Sequence, residues 1–134
     1  MKIAGRQQVF QKLSPVCLVM SSTLKSLRAL SDPTRLRIVA LLERDELPVN
    51  ELQEATRMGQ SRISTHLGLL QESGLVQSRR DGKRTFYRLH PHPDGTGREF
   101  VQLAIRGAKE LLEFAEDQIN LKRILTRRHE QAQV

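Results

Sequence analysis

The chain has little cysteine, few aromatic residues and no long apolar run. Its one cysteine, Cys17, excludes an internal disulfide and suits a reducing compartment. No stretch approaches the roughly 18 apolar residues of a membrane-spanning helix. The apolar residues 16–20 are too few for a secretory signal. We therefore expect a cytoplasmic protein that does not associate with a membrane.

The sequence also lacks the patterns on which enzymes depend. It has no paired acids, no nucleophile beside a base and no glycine-rich nucleotide loop. We therefore expect neither catalysis nor a cofactor. The length of 134 residues allows one domain, and an apolar content of 38% is low for a domain that must be stable alone. Burial shared in a homodimer is expected.

Positive charge is abundant and concentrated in one segment. The formal net charge is +7, and residues 57–88 carry seven Lys or Arg against two acids, a net +5. Residues 21–56 carry five cations against six acids, residues 89–134 carry seven of each, and residues 1–20 add +3. A positive field confined to one segment is typical of a surface that binds a polyanion.

The basic segment opens with a predicted helix over residues 60–73, stopped by Gly74. Apolar side chains at 63, 67 and 70 lie on one helix face. Polar side chains that could read base edges in DNA project from the rest: Gln60, Ser61, Arg62, Ser64, Thr65 and His66. Ser61 could instead cap the helix, and Arg62 and His66 could bind phosphates.

A basic hairpin follows the helix. An Asp81-Gly82 turn between the alternating runs 75–80 and 83–89 is a strong hairpin signal. Cations near the tip suit contact with DNA phosphates: Arg79, Lys83 and Arg84. Arg80 and Arg88 are predicted to alternate with these and could be solvated.

Two helices are predicted ahead of the basic segment. The first spans residues 22–30 and the second runs from 33 to 42. Asp32 can cap the second helix, and Pro33 suits its first position. Arg35 and Arg37, near the start of this helix, could touch phosphate.

A third helix over residues 51–57, capped by Asn50, completes a helix-turn-helix with residues 60–73. The hairpin is then the wing of a winged helix-turn-helix. We therefore predict a mainly α fold with a small β-hairpin. The DNA-binding domain covers residues 21–95, and residues 1–20 form an N-terminal arm.

A long helix is predicted from residue 97 to at least 117, and as far as 128. Its small and apolar residues repeat in steps of four and three, which is typical of a coiled-coil seam. Ala104 and Gly107 would let a partner backbone come close. We interpret residues 96–134 as a dimerisation segment, and the alternative is a helix packed on its own domain. The predicted dimer contacts are Leu24, Leu27, Phe100, Ala104, Gly107, Leu111 and Phe114.

Four stretches together resemble the ArsR/SmtB family of bacterial winged-helix repressors. They are residues 30–38 (LSDPTRLRI), 60–67 (QSRISTHL), 74–76 (GLV) and 79–89 (RRDGKRTFYRL), and the resemblance covers about residues 22 to 117. It implies a homodimer paired through its first and last helices, double-stranded DNA with a palindromic operator as partner, and repression relieved by an effector.

The resemblance also implies roles for individual residues. It places the polar residues of the predicted helix, with the exception of Arg62, at the major groove: Gln60, Ser61, Ser64, Thr65 and His66. The wing cations would contact the DNA backbone or minor groove. The identity of the effector does not follow from the sequence.

The chain departs from the metal sensors of this family. Where they carry Cys-Val-Cys-Asp, residues 48–51 read PVNE, so the thiolates that a soft metal needs are missing. A second family site uses Asp and His of the last helix, but residues 97–118 contain no histidine. Glu113 and Asp117 are expected to be solvated. We therefore predict no metal site of either kind.

Two minor alternatives remain open. His90, His92 and Asp94 could bind zinc with a fourth ligand from elsewhere, or form a rigid polar loop. Cys17 could pair across a dimer as a redox switch.

The end of the chain suggests an alternative function. Residues 121–132 are similar to the connector found where ArsR-type domains are fused to an S-adenosylmethionine-dependent methyltransferase. The chain would then be the DNA-binding part of a longer repressor that responds to a related metabolite. A winged helix that binds another protein is disfavoured, because the outward helix face is polar.

Overall fold

The computed structural model describes residues 23–91 and 95–133. The predicted fold class is confirmed, with helices surrounding a small antiparallel sheet. The predicted arm over residues 1–20 lies outside the described residues, as do Cys17, His92 and Asp94. The elements in chain order are α1 (23–29), α2 (Pro33–Arg44), β1 (Leu47–Pro48), α3 (Val49–Thr56), α4 (Gln60–Glu72), β2 (Val76–Asp81), β3 (Arg84–Leu89), α5 (Gly95–Lys109) and α6 (Phe114–Ala132).

One of the two predicted helix caps is confirmed. The Asp32 side chain accepts a hydrogen bond of 3.1 Å from the Arg35 amide, and Pro33 opens α2. The predicted Asn50 cap is wrong, because α3 already begins at Val49 and has no side-chain cap. The Asn50 side chain instead accepts a hydrogen bond of 3.3 Å from Arg84 on the wing.

The wing has three strands rather than the predicted two. The sheet order is β1-β3-β2, and Leu47 and Pro48 of β1 pair with Tyr87 and Phe86 of β3. Proline is tolerated here because β1 is an edge strand. Since β1 belongs to the segment between α2 and α3, it ties the wing to the helix-turn-helix.

The hairpin turn lies one residue later than predicted. Asp81 pairs with Arg84, so the two loop residues are Gly82 and Lys83. Gly82 has a φ of +63°, which suits the first loop position of a type II′ turn. Residues two or four apart on one strand share a sheet face, so Arg88 lies on the same face as Arg84 and does not alternate with it.

The predicted single C-terminal helix is wrong. The chain turns at residues 110–113, so α5 packs along α2 while α6 folds back onto α3. The small residues of the predicted seam face their own chain. Ala104 is buried, and a Cβ at Gly107 would lie 3.1 Å from a methyl group of Leu36. The close approach expected of a partner is therefore made within the chain.

The core is built around α2 and is completed by α6. Ile38 of α2, Leu52 of α3 and Ile63 of α4 are fully buried together with Leu121 and Ile124 of α6. Beyond residue 109, therefore, the chain packs on its own domain, and a dimerisation role for residues 96–134 stays a prediction.

An apolar surface on α1 and α5 stays open. Leu24 and Leu27 are 52% and 49% exposed, and Leu103 is 55% exposed. Leu27, Phe100 and Leu103 line a shallow depression of about 310 Å³. We call these four residues the α1–α5 surface. Large exposed apolar groups of this kind favour an interface with another molecule.

Candidate nucleic-acid interface

Helix α4 presents the polar face that the sequence predicts. Gly59 precedes the helix, Ser73 ends it, and Gly74 follows with a φ of +81°, as a glycine stop does. The apolar side is buried in the core. The exposed residues include five of the predicted contacts: Gln60, Ser61, Arg62, Ser64 and Thr65.

Ser61 does not cap this helix. The N-cap position belongs to Gly59, and the helix has no side-chain cap. Ser61 is exposed, and its carbonyl accepts a 2.9 Å bond from the Thr65 hydroxyl. Arg62 donates to the Thr34 hydroxyl at 3.3 Å, which holds its guanidinium toward the start of α2.

His66 lies differently from the prediction. Its side chain is only 15% exposed, and its Nδ1 lies 3.1 Å from the Arg35 guanidinium and 4.0 Å from an Asp32 oxygen. Burial lowers the pKa of His66, and nearby Arg35 and Arg62 lower it further, against an opposing pull from Asp32. The neutral ring therefore links α4 to the start of α2 and does not project freely.

A groove of about 460 Å³ separates α4 from the wing. Gln60 and Ser64 line it from the helix, while Lys83 and Arg84 line it from the wing. Its floor is formed by the segment from β1 to α3. Four of the nine predicted DNA contacts therefore face one polar depression, which we call the helix–wing groove.

Acidic and aromatic neighbours hold the wing cations in place. Arg79 donates to Glu46 at 2.6 Å, and its guanidinium lies 4.9 Å from the Phe86 ring centroid. Arg84 approaches the same ring at 5.3 Å. The hydrogen bond that Arg79 donates to Glu46 is the main reason why the pKa of Arg79 is raised. Arg88 lies 3.8 Å from Glu46, so one carboxylate serves two cations.

Arg35 and Arg37 have structural contacts rather than an open path to phosphate. Arg37 donates twice to Asp117, at 2.7 and 2.8 Å, and once to the Thr56 carbonyl at 3.2 Å. Arg35 donates to the carbonyl of Ala29 in addition to its contact with His66. Asp117, expected to be solvated, is thus buried beside a guanidinium.

Gly68 and the floor of the groove escape the sequence prediction. Gly68 follows Ser61 and Thr65 at spacings of seven and three, so it shares their helix face. Nothing lies within 4 Å of a Cβ built there. Helical spacing was a usable signal for this residue. Asn50 and Gln53, which line the groove from α3, had no such signal because their approach depends on the tertiary fold.

Residues 23–91 and 95–133 contain no group of three or more His, Cys, Asp or Glu that could hold a metal ion. The histidine cluster stays untested, since two of its members lie outside these ranges. No helix among them is long and apolar enough to cross a membrane.

Together the helix, turn, second helix and anchored hairpin define a winged helix-turn-helix protein. Residues 32–78 match the family model described as "Bacterial regulatory protein, arsR family". The arsenical resistance operon repressor of Escherichia coli K12 is 44% identical over 84 residues, which cover 62% of this chain and 72% of that protein. The chain belongs to the arsR family of bacterial regulatory proteins.

Other relatives agree with this assignment. The biofilm growth-associated repressor of Xylella fastidiosa (strain Temecula1) is 46% identical over 63 residues, 47% of this chain and 55% of that protein. The chain thus spans little more than half of that relative. The crystal structure of the repressor BigR from Xylella fastidiosa has a TM-score of 0.51 at 34% identity, covering 74% of this chain and 88% of that one.

A second solved structure is the homodimeric winged helix-turn-helix DNA-binding domain of a Mycobacterium bovis protein. It has a TM-score of 0.60 at 28% identity and covers 69% of this chain and 84% of that one.

Proposed function

We propose that this protein is a cytoplasmic transcriptional repressor that binds a symmetric DNA operator as a homodimer. The observation that carries the proposal is the helix–wing groove. A polar helix face suits base edges, and the cations across the groove suit phosphates. Relatives described as repressors support the direction of regulation.

Within the interface, we assign base reading to the exposed polar residues of α4. Ser61, Ser64 and Thr65 are short, so they can approach base edges only if the helix lies deep in the major groove. Lys83 and Arg84 hold the flanking phosphates from the wing. These roles divide sequence preference from overall affinity, which makes them separable by mutation.

The α1–α5 surface is the proposed dimer contact. A second copy would cover the exposed halves of Leu24, Leu27 and Leu103. The Mycobacterium bovis relative is described as homodimeric, which supports this occupant. Two-fold pairing would set two recognition helices one DNA turn, about 34–36 Å, apart. A Leu24→Glu, Leu103→Glu variant should elute as a monomer, whereas Ile119→Glu on α6 should leave the dimer intact.

Selection from a random duplex pool tests the proposal directly. The purified protein should enrich an inverted repeat whose half-sites lie about 10 base pairs apart. Binding to the selected duplex should fall steeply with salt. Equal retention of every duplex, or binding that salt does not change, contradicts the proposal.

Two variants separate the recognition of base sequence from the binding of phosphates. Ser64→Ala should relax the selected sequence at one position of each half-site, with a modest loss of affinity. Lys83→Gln should weaken binding to all duplexes alike and lower the salt slope by about one. Lys122→Gln on α6 is the control for loss of charge alone and should leave both readouts unchanged.

The alternative of a repressor fused to a methyltransferase is not favoured. The relatives reported above are described as regulators and repressors. Residues 121–132, which are similar to a connector, form the second part of α6 and contribute Leu121 and Ile124 to the core.

A further inference from the structure

A second pocket lies on the flank of α4 away from the wing. It has a volume of about 310 Å³, is open to one side, and is lined by residues of α1, the start of α2, and the end of α4 with Ser73 just beyond it. Leu69 of α4 lines this pocket, whereas Ser64 lines the helix–wing groove. At 3.6 residues per turn these two positions are about 140° apart around the helix axis. The pocket is therefore separate from the groove that we assign to DNA.

Three cations line the pocket: Lys25, Arg28 and Arg35. Among the described residues none of them lies within 4.0 Å of a carboxylate oxygen. Glu72 is the one acid on the wall, so the lining carries a net charge of +2. The side chains of Lys25 and Arg28 make no hydrogen bond to any residue in 23–91 or 95–133. Unlike the wing, where Glu46 neutralises arginines, this pocket holds excess positive charge.

The other part of the lining is apolar. Ala29 is buried, and Leu69 is a large apolar side chain with 41% of its surface exposed. A concave site with an apolar wall and a few converging charged groups is typical of small-ligand pockets, and a volume near 300 Å³ suits a small molecule. The lining favours a molecule with an anionic head and a compact apolar body.

Arg35 connects this pocket to the recognition helix. Arg35 lines the pocket, and its guanidinium contacts His66 Nδ1 at 3.1 Å. An anion that draws the guanidinium toward itself weakens the contact that holds α4 against α2. The same anion adds negative charge close to a helix that must approach phosphates. Both effects oppose DNA binding.

We infer that this pocket binds a small organic anion, a carboxylate or phosphate ester on an apolar body, whose binding releases the protein from DNA. The inference rests on the proposed function for its second half only. Binding of the anion is a property of the protein alone, whereas release requires an operator. The two parts therefore fail separately.

The first test uses benzoate, phenyl phosphate, inorganic phosphate and benzyl alcohol as probes. A ligand that binds only the folded state raises the melting temperature. Benzoate or phenyl phosphate should raise it, inorganic phosphate should do so less, and benzyl alcohol should not. Comparing the two aromatic anions identifies the preferred head group. If neither binds, or if the alcohol binds equally, the inference is wrong.

Charge-matched variants locate the site. Lys25→Gln with Arg28→Gln should weaken probe binding about tenfold or more, because each cation contributes a charged hydrogen bond. Lys122→Gln with Arg123→Gln removes the same charge from α6 and should leave binding unchanged. The ring resonances of His66 should shift on titration of the wild-type protein. Equal losses in both variants overturn the location.

The second test adds the operator selected above. A saturating probe should lower operator affinity by about fivefold or more, the lower end of common coupling strengths. An unchanged affinity overturns the coupling, while failure to select any operator contradicts the proposed function and leaves anion binding intact. The Lys25→Gln, Arg28→Gln variant could also lower the salt slope of DNA binding. If it does so and the wild-type protein binds none of the probes, the pocket cations contact DNA phosphates and the inference is wrong.

Discussion

The guanidinium of Arg37 forms two hydrogen bonds with the carboxylate of Asp117, a residue 80 positions further along the chain. The two side chains are 11% and 4% exposed. The pKa of Arg37 is raised, first by this hydrogen bond. The pair joins α2 to α6, and Arg37 also bonds the carbonyl of Thr56 at the end of α3.

Asp117→Asn should therefore lower the free energy of unfolding by about 3 kcal/mol, because it leaves a nearly buried guanidinium without its charge partner. Urea denaturation measures this loss. Glu116→Gln is the matched control, since Glu116 forms a pair with Arg57 in which both side chains are more than half exposed. Its effect should stay below about 1 kcal/mol. Similar losses in both variants would show that the Asp117 pair has no special weight.

Glu46→Gln should strengthen DNA binding. The carboxylate of Glu46 holds Arg79 at 2.6 Å, so a DNA phosphate must compete with it. Removing an exposed pair of this kind should raise operator affinity about two- to fivefold. Asp45→Asn makes the same change in net charge one residue away, where the carboxylate faces Arg128 instead. If Asp45→Asn raises the affinity equally, the effect comes from net charge and not from the wing.

Gly68→Leu should stabilise the fold and weaken DNA binding. Glycine within a helix costs about 0.5–1 kcal/mol relative to good helix formers, and the space around Gly68 is open. The same side chain would stand between the helix backbone and the base edges. The melting temperature of the variant should rise, while its affinity for the operator should fall. Thr126→Ala, at an exposed position of α6, should stabilise the helix with no change in DNA binding. If the Gly68→Leu variant binds the operator normally, Gly68 is not part of the interface.

Stability should fall as the pH drops below about 6.5, the usual pKa of histidine. Because the pKa of His66 is lowered in the folded protein, the unfolded chain binds the proton more readily. Stability is therefore complete above the unfolded pKa and is lost as the pH falls toward the folded one. Urea denaturation at values from about pH 8 to about pH 5 should show this slope. His66→Gln should reduce this slope of stability against pH, and His129→Gln, at an exposed position of α6, should retain it.

Local signals were enough to predict the helix-turn-helix and the wing hairpin. The Asp32 cap, the Gly74 stop and the apolar period of α4 act within a few residues, so the sequence alone determines them. The hairpin followed from its glycine, but its register did not. The loop could be formed by residues 81–82 or by residues 82–83, and the pairing of Asp81 with Arg84 selects the second.

Long-range packing determined what the sequence could not predict. Residues 110–113 read ELLE, which are good helix formers, so no local signal marks the break between α5 and α6. The chain turns there because burying Leu121 and Ile124 against α3 outweighs one continuous helix. His66 was misplaced for the same reason, since its contact with Arg35 joins residues 31 positions apart.

Leu121 and Ile124 also determine when the domain can fold during synthesis. They complete a core that includes Leu52 and Ile63, about 60 to 70 positions earlier, and such distant contacts form only after the intervening chain is available. The helix-turn-helix therefore leaves the ribosome with an apolar flank uncovered. Until residue 124 has emerged, that flank is open to aggregation and to chaperones. The segment that reads DNA is translated in the middle of the chain but becomes stable only near its end.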